Sequence, residues 1–187
     1  MGYHISHGEK HFEMPDKKTK LEHVPDAALK EMVMIQNRLK QMEVSNAAHT
    51  DFIEYVKHVW DGFIEGEHHK LFAKKLENVA MGKTKRLIVN MPPRHTKSEF
   101  ASVFFPSWMM GLHPDMKIMQ TTHTAELSAR FGRKVRNLMD TDEYKQIFEK
   151  VRLSADSKSA GRWETNHGGE YFAAGVGGAI TGRGADL

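Results

Sequence analysis

Two adjacent side chains, Lys97 and Ser98, sit where an apolar run, Leu87 to Met91, gives way to a stretch that reads as helix, SEFASVFF. A lysine ammonium at such a junction can neutralise the β- and γ-phosphates of a nucleotide, and a hydroxyl directly after it can ligate Mg²⁺. The intervening PPRHT would be the loop whose backbone N–H groups, with the helix N-terminus, cradle anionic oxygens. Pro92 and Pro93 donate no N–H, which leaves His95 to Ser98 as the main backbone donors. Strand, tight loop, Lys-Ser and helix is the layout of a P-loop. The expected binding residues are Pro93, Arg94, His95, Thr96, Lys97 and Ser98, for ATP with Mg²⁺, and Ser98 is the expected contact to the metal. The usual pattern, G-x-x-x-x-G-K-[ST], is not met, because Met91 and Thr96 occupy both glycine positions. A β-branched residue resists positive φ, so Thr96 must either keep an ordinary conformation or be held under strain. The duller readings are a surface lysine, set poorly against the positive end of a helix dipole, and a serine that simply caps the helix.

The flanking segments extend the pattern. PPRHTKSE is followed by WMMGLHPD, then KIMQTTHTAELSARFGRKVRNL, RWETN and YFAAGVGGAITGRGADL. In that order, from about Phe52 to Leu187, the chain resembles the large terminase subunit of tailed bacteriophages, the motor ATPase and nuclease that packages viral DNA. The resemblance implies an α/β P-loop NTPase fold of the ASCE type, with a mainly parallel sheet flanked by helices. It also implies ATP-driven movement of double-stranded DNA into a procapsid in the host cytoplasm. Its implied partners are the portal protein, the small terminase subunit and further copies of the chain in a ring, with no membrane. Walker A loops of that family commonly depart from the glycine pattern and carry an arginine, which implies for Arg94 a contact to the γ-phosphate. Its alternative is a pair with Glu99. A similar family arginine upstream of Walker B is matched by Arg183, in Thr181-Gly-Arg-Gly184, where flanking glycines let it project. It would act as a finger on a neighbouring subunit's nucleotide, an effect worth ~10³–10⁵ in rate; otherwise it is a turn arginine bound to Asp186 or solvent. Arg94 and Arg183 are the catalytic candidates.

In the family, the Walker B acids and the endonuclease domain come later than anything matched here. Asp186 precedes the expected apolar run and is not assigned that role. The chain is therefore expected to be the N-terminal part of a longer protein, incomplete over 51–187 as an ATPase domain. By itself it should hydrolyse ATP barely or not at all. Two other classes share these features: another P-loop DNA motor, such as a superfamily 2 helicase, and a non-catalytic nucleotide- or DNA-binding fragment.

Bulk properties restrict little beyond this. The chain has 187 residues, 40% of them hydrophobic and 27% charged, which suits one ordinary globular domain with a real core. No apolar run approaches the ~20 residues of a membrane span, and MGYHISHGEKHFEM lacks the apolar core of a secretory signal. Gly2 with Ser6 fits a myristoylation pattern only superficially. With no cysteine there is neither a disulfide framework nor a thiolate zinc site. A net charge of +3 is too mild to argue for nucleic acid. Its distribution is more informative, with Lys83, Lys85, Arg86, Arg94 and Lys97 around the loop and Arg130, Arg133, Lys134 and Arg136 on one helix.

The elements that must position these groups follow from periodicity. Met1 to Lys20 is polar and aperiodic, expected to be a mobile tail; the spacing of His4, His7 and His11 would suit a chelating tail, but there is no H-E-x-x-H and a flexible tail would not hold a structural metal site. Met32, Ile35, Leu39 and Met42 predict an amphipathic helix over Asp26 to Met42, with 1–50 forming a tail-and-helix extension and Val44 to Thr50 a linker. That helix is a conceivable dock for portal or small subunit. Asp51 is placed to cap a helix lined by Phe52, Val56, Val59 and Phe63, and His68 to Ala80 reads as another, stopped at Gly82. Leu87 to Met91 reads as a buried strand and Lys97 to Phe105 as a helix interrupted by Pro106. Lys117 to Thr122 is a second strand. Glu126 to Met139 is a helix with Leu127, Phe131, Val135 and Leu138 along one side and a Glu126–Arg130 pair. Extended pieces follow near Arg162–Thr165 and Glu170–Ala174. Phe72 and His69 are candidates to stack on an adenine base, against the plainer reading of a helical histidine.

Overall fold

The computed structural model describes residues 25–155, 159–178, 180 and 182–187. The tail from Met1 to Lys20, with its histidines and Gly2, and Thr181 lie outside the described residues. The chain divides into two compact units, one ending at Leu39 and one running from Lys40 to Leu187. In the first, α1 (Asp26–Thr50) begins, with Met32, Ile35 and Leu39 each more than half exposed.

The predicted linker at 44–50 is instead the last turns of α1. Tertiary contacts outweigh weak local propensity there. Ala48 is fully buried, its carbonyl accepts from Trp108 Nε1 at 2.8 Å, and His49 Nε2 reaches the Ile147 carbonyl at 2.9 Å. Asp51 then caps α2 (Phe52–Val59), its carboxylate accepting from the N–H groups of Ile53 and Glu54 at 2.8 and 3.0 Å. α3 (Glu67–Ala80) follows as expected and gives way to a left-handed Gly82.

Leu87 to Met91 is not a buried strand. It joins no ladder among the described residues, and half-buried Leu87, Val89 and Met91 alternate with exposed Ile88 and Asn90. Its composition suits a strand, but a strand needs a neighbour to take its hydrogen bonds.

Pro106 does not interrupt the next helix either. α4 (Lys97–Glu99) passes into a π-helical turn (Phe100–Phe104) and on into α5 (Phe105–Leu112), with Pro106 at the start of α5. Proline removes one helical donor and crowds the carbonyl four residues back. The widened turn relieves this: Phe105 N–H bonds the Phe100 carbonyl, and Ser107 Oγ donates to the Phe104 carbonyl at 2.8 Å. Tyr55 OH bonds that same Ser107 Oγ at 2.6 Å, which ties α2 to α5. Phe52, Phe100, Phe105 and Trp108 pack with ring centroids 5.3–5.9 Å from Phe52 and form the centre of the helical core.

The sheet is small and mixed. β1 (Lys117–Thr122) pairs in parallel with β3 (Glu170–Gly175), and β2 (Arg162–Glu164) pairs antiparallel with β3, giving the order β1-β3-β2. This corrects the mainly parallel sheet. The short connection from β2 to β3 is a hairpin, and parallel neighbours need a long crossover. The crossover from β1 to β3 contains α6 (Ala125–Met139) and α7 (Asp142–Ile147). At the other edge of β1, Met119 N–H donates to the Leu187 carbonyl at 2.8 Å and Leu187 N–H to the Lys117 carbonyl at 3.3 Å, a parallel pattern.

α6 buries Ser128, Gly132, Val135 and Met139, whereas Leu127 is 38% exposed. The helix therefore turns small residues toward β3 and β1. Ser128 Oγ donates to the Ala174 carbonyl at 2.5 Å, and a side chain at Gly132 would meet the Ala160 carbonyl at 2.5 Å. The expected Glu126–Arg130 pair is not among the ion pairs of the described residues. Among the described residues no helix is long and apolar enough to cross a membrane.

Candidate functional site

Met91 to Glu99 encloses an open cavity of about 480 Å³ between the unpaired segment and the first turn of α4. Two of its residues, Arg94 (φ 62°) and Thr96 (φ 59°), adopt the left-handed conformation without being glycine, and they are the non-glycine residues that do so among those described. Each such residue costs on the order of 1 kcal/mol or more and persists only where its surroundings impose it. The question of strain at Thr96 is answered: the strain is present. Left-handed residues within a tight turn are the kind of backbone from which anion-binding concavities are built. The backbone N–H groups of Thr96, Lys97 and Ser98 donate to no protein acceptor among the described residues, whereas Pro93 and Arg94 form a turn that directs the His95 N–H to the Pro92 carbonyl.

Charge accumulates at the same place. Lys97 Nζ reaches back over the loop to the Met91 carbonyl at 3.3 Å and makes no ion pair among the described residues. Arg94 is exposed, and the carboxylate once considered for it, Glu99, is taken by Lys134 of α6 instead. Arg94 and Lys97 therefore line the cavity without an ion pair among the described residues, and the carboxylate residue that also lines it, Glu99, is paired with Lys134. Ser98 does not cap the helix; Thr96 occupies the N-cap position, and its hydroxyl is turned elsewhere. That leaves the Ser98 hydroxyl without a protein partner among the described residues, which fits a metal-ligating role.

Thr96 Oγ1 donates to the His95 carbonyl at 2.6 Å and meets His69 Nε2 at 2.7 Å. On the other side of the ring, Gly66 N–H donates to His69 Nδ1 at 2.9 Å. His69 is 5% exposed, stacked on Phe100 at 5.1 Å and set edge-on to Phe63 at 4.9 Å. Burial first, then the neighbouring His68, hold its pKa below the usual histidine range, with His95 adding to this and Glu65 opposing it. His69 and Phe72 are both packed away in the core and are not exposed to stack on a base, which corrects that expectation. No feature of the sequence marked the link between His69 and Thr96, or that between Lys134 and Glu99, since both join segments distant in the chain.

Arg183 stands in a different setting. Its guanidinium bonds Glu170 at 3.2 Å and lies 4.2 Å from the centre of the Phe172 ring. Asp186, its anticipated partner, accepts instead from the Lys117 N–H at 2.8 Å. The cavity beside Arg183, about 210 Å³, shares no lining residue with the one at the loop. Of the helical cations, Lys134 is committed to Glu99, Arg136 bonds the Ser159 carbonyl, and Arg130 and Arg133 are exposed. No family of known proteins, no curated protein and no solved structure matches this chain.

Proposed function

We propose that Met91–Glu99 is a nucleotide-phosphate loop and that the chain is part of the ATPase of a DNA-packaging motor of the large-terminase type. The observation that carries the first half is a run of three unpartnered backbone N–H groups, Thr96 to Ser98, beside two cations without an ion pair among the described residues, on a loop with two strained residues. Such a concavity selects a polyanion carrying several charges on adjacent oxygens. Lys97 would leave the Met91 carbonyl to neutralise β/γ-phosphate oxygens, and the N–H groups of Thr96 to Ser98 would hold them in place. Arg94 would stabilise charge developing on the transferred group. Mg²⁺ bound with the nucleotide supplies charge neutralisation, and the Ser98 hydroxyl is the protein oxygen placed to hold it, its remaining ligands being phosphate and water.

The second half, duplex DNA as the track and portal, small subunit and sister copies as partners, rests on the run of segments from PPRHTKSE to TGRGADL. On this reading the fold is a P-loop NTPase, and Arg183 would have to exchange Glu170 for a neighbour's phosphate before acting in trans. Titrating Mg·ATP onto the 187-residue chain and its Lys97→Ala variant tests the proposal. Saturable binding lost in Lys97→Ala is expected; equal binding by both proteins refutes the assignment.

A further inference from the structure

We infer that His69 is a positioning residue for the phosphate loop, its Nε2–H holding Thr96 in the left-handed conformation that shapes the anion-binding concavity. The inference deepens the nucleotide reading above and rests on it. The protons in this chain of hydrogen bonds admit one arrangement. Gly66 N–H donates to Nδ1, so Nδ1 carries no hydrogen, and a neutral imidazole then carries its hydrogen on Nε2. Thr96 Oγ1 donates its own hydrogen to the His95 carbonyl, so toward His69 it can only accept. Each donor meets an acceptor from the start of α3 to the loop, and the ring is held by Phe100 and Phe63.

The cost of Thr96's backbone has to be met by something that releases when the conformation changes. A hydrogen bond from a buried, immobile ring does this, because its loss would leave a buried donor unpartnered. Glycine at position 96 would take the same backbone freely and need no such tether. The histidine from α3 therefore stands in for the missing glycine of the loop. Its ring faces Glu65 and His68 from its own side and His95 from the loop.

The test is Mg·ATP affinity across four substitutions, with thermal melts to show that each protein is folded. His69→Gln keeps a donor at the Nε2 position; His69→Asn keeps only an acceptor near Nδ1. Affinity should fall about tenfold in His69→Asn, the size of one lost hydrogen bond, and stay within about threefold in His69→Gln. In a Thr96→Gly background, His69→Asn should change affinity by less than about twofold. Should His69→Asn melt below the assay temperature, His69→Phe replaces it with the same expectation. Equal losses in Asn and Gln, or the same tenfold loss in the Thr96→Gly background, would overturn the inference while Lys97→Ala still abolishes binding. Wild-type binding by Lys97→Ala would instead remove the nucleotide reading, and this inference with it.

Discussion

Arg94 and Arg183 occupy loops of opposite construction. The turn at 182–184 is built from glycine, and Gly182 takes φ 83° with no side chain to resist it. The Arg94 loop contains no glycine, yet two of its residues hold the same kind of backbone. Arg183 is satisfied by Glu170 and Phe172, whereas Arg94 has no ionic partner among the described residues. An arginine that is already paired in a relaxed turn contributes to the local fold. An unpaired one on a strained backbone is the arrangement expected where a ligand supplies the missing charge. The difference separates two residues that looked equally capable of catalysis.

The hardest blow to this contrast comes from the lysine beside Arg94. Lys97→Ala should weaken Mg·ATP binding on the order of 100-fold, the size of a charge-assisted contact, while Arg183→Ala changes it little; calorimetric titration of both proteins decides. Gly132→Ala serves as a scaffold control, because its Cβ would meet the Ala160 carbonyl at 2.5 Å. It should cost ~1–3 kcal/mol in urea unfolding and leave affinity unchanged below the melt. Arg94→Gly should stabilise the fold by up to ~1 kcal/mol by removing backbone strain, while weakening nucleotide binding. Arg183→Ala should destabilise by less than ~1 kcal/mol, since its pairs are partly exposed. Opposite signs in those two melts would sharpen the comparison; like signs would dissolve it.

The smallest effect concerns pH. The native state needs His69 neutral, and its folded pKa is lowered, so the unfolded chain takes up a proton more readily. The stability it contributes is full above the ordinary histidine value of ~6.5 and is lost as pH falls below that toward the folded pKa. Urea midpoints across that window should decline in the wild type more than in His69→Gln. The variant retains Glu65, His68 and His95, so the His69 ring is the group that differs in the comparison.

Much of this was visible in the residues. Asp51 as a cap, helices at Phe52 and His68, strand β1 at Lys117–Thr122 and the extended pieces around Trp163 and Tyr171 are all local signals, and each appears where expected. The failures share a cause. Leu87 to Met91 has the composition of a strand but no partner, and pairing is a property of distant chain. On α6, Phe131, Val135 and Leu138 pack on the core as expected, while Leu127 is exposed and close approach to the sheet adds Ser128 and Gly132, which a pattern of large apolar residues does not mark. The Lys-Ser pair at the helix start was legible from order alone. What shapes the loop was not, because His69 and Lys134 reach it from 27 and 35 residues away.

The π-helical turn before Pro106 has a consequence for orientation. One extra residue in a turn rotates everything beyond it by about 100° relative to a regular helix. Upstream of it Glu99 meets Lys134, and downstream Trp108 donates to the Ala48 carbonyl. In a regular rod those two contacts would fall out of phase, and satisfying one would swing the other into solvent. The wide turn acts as a gear between loop and core, so adding or deleting a single residue between Phe100 and Phe104 would disengage one from the other.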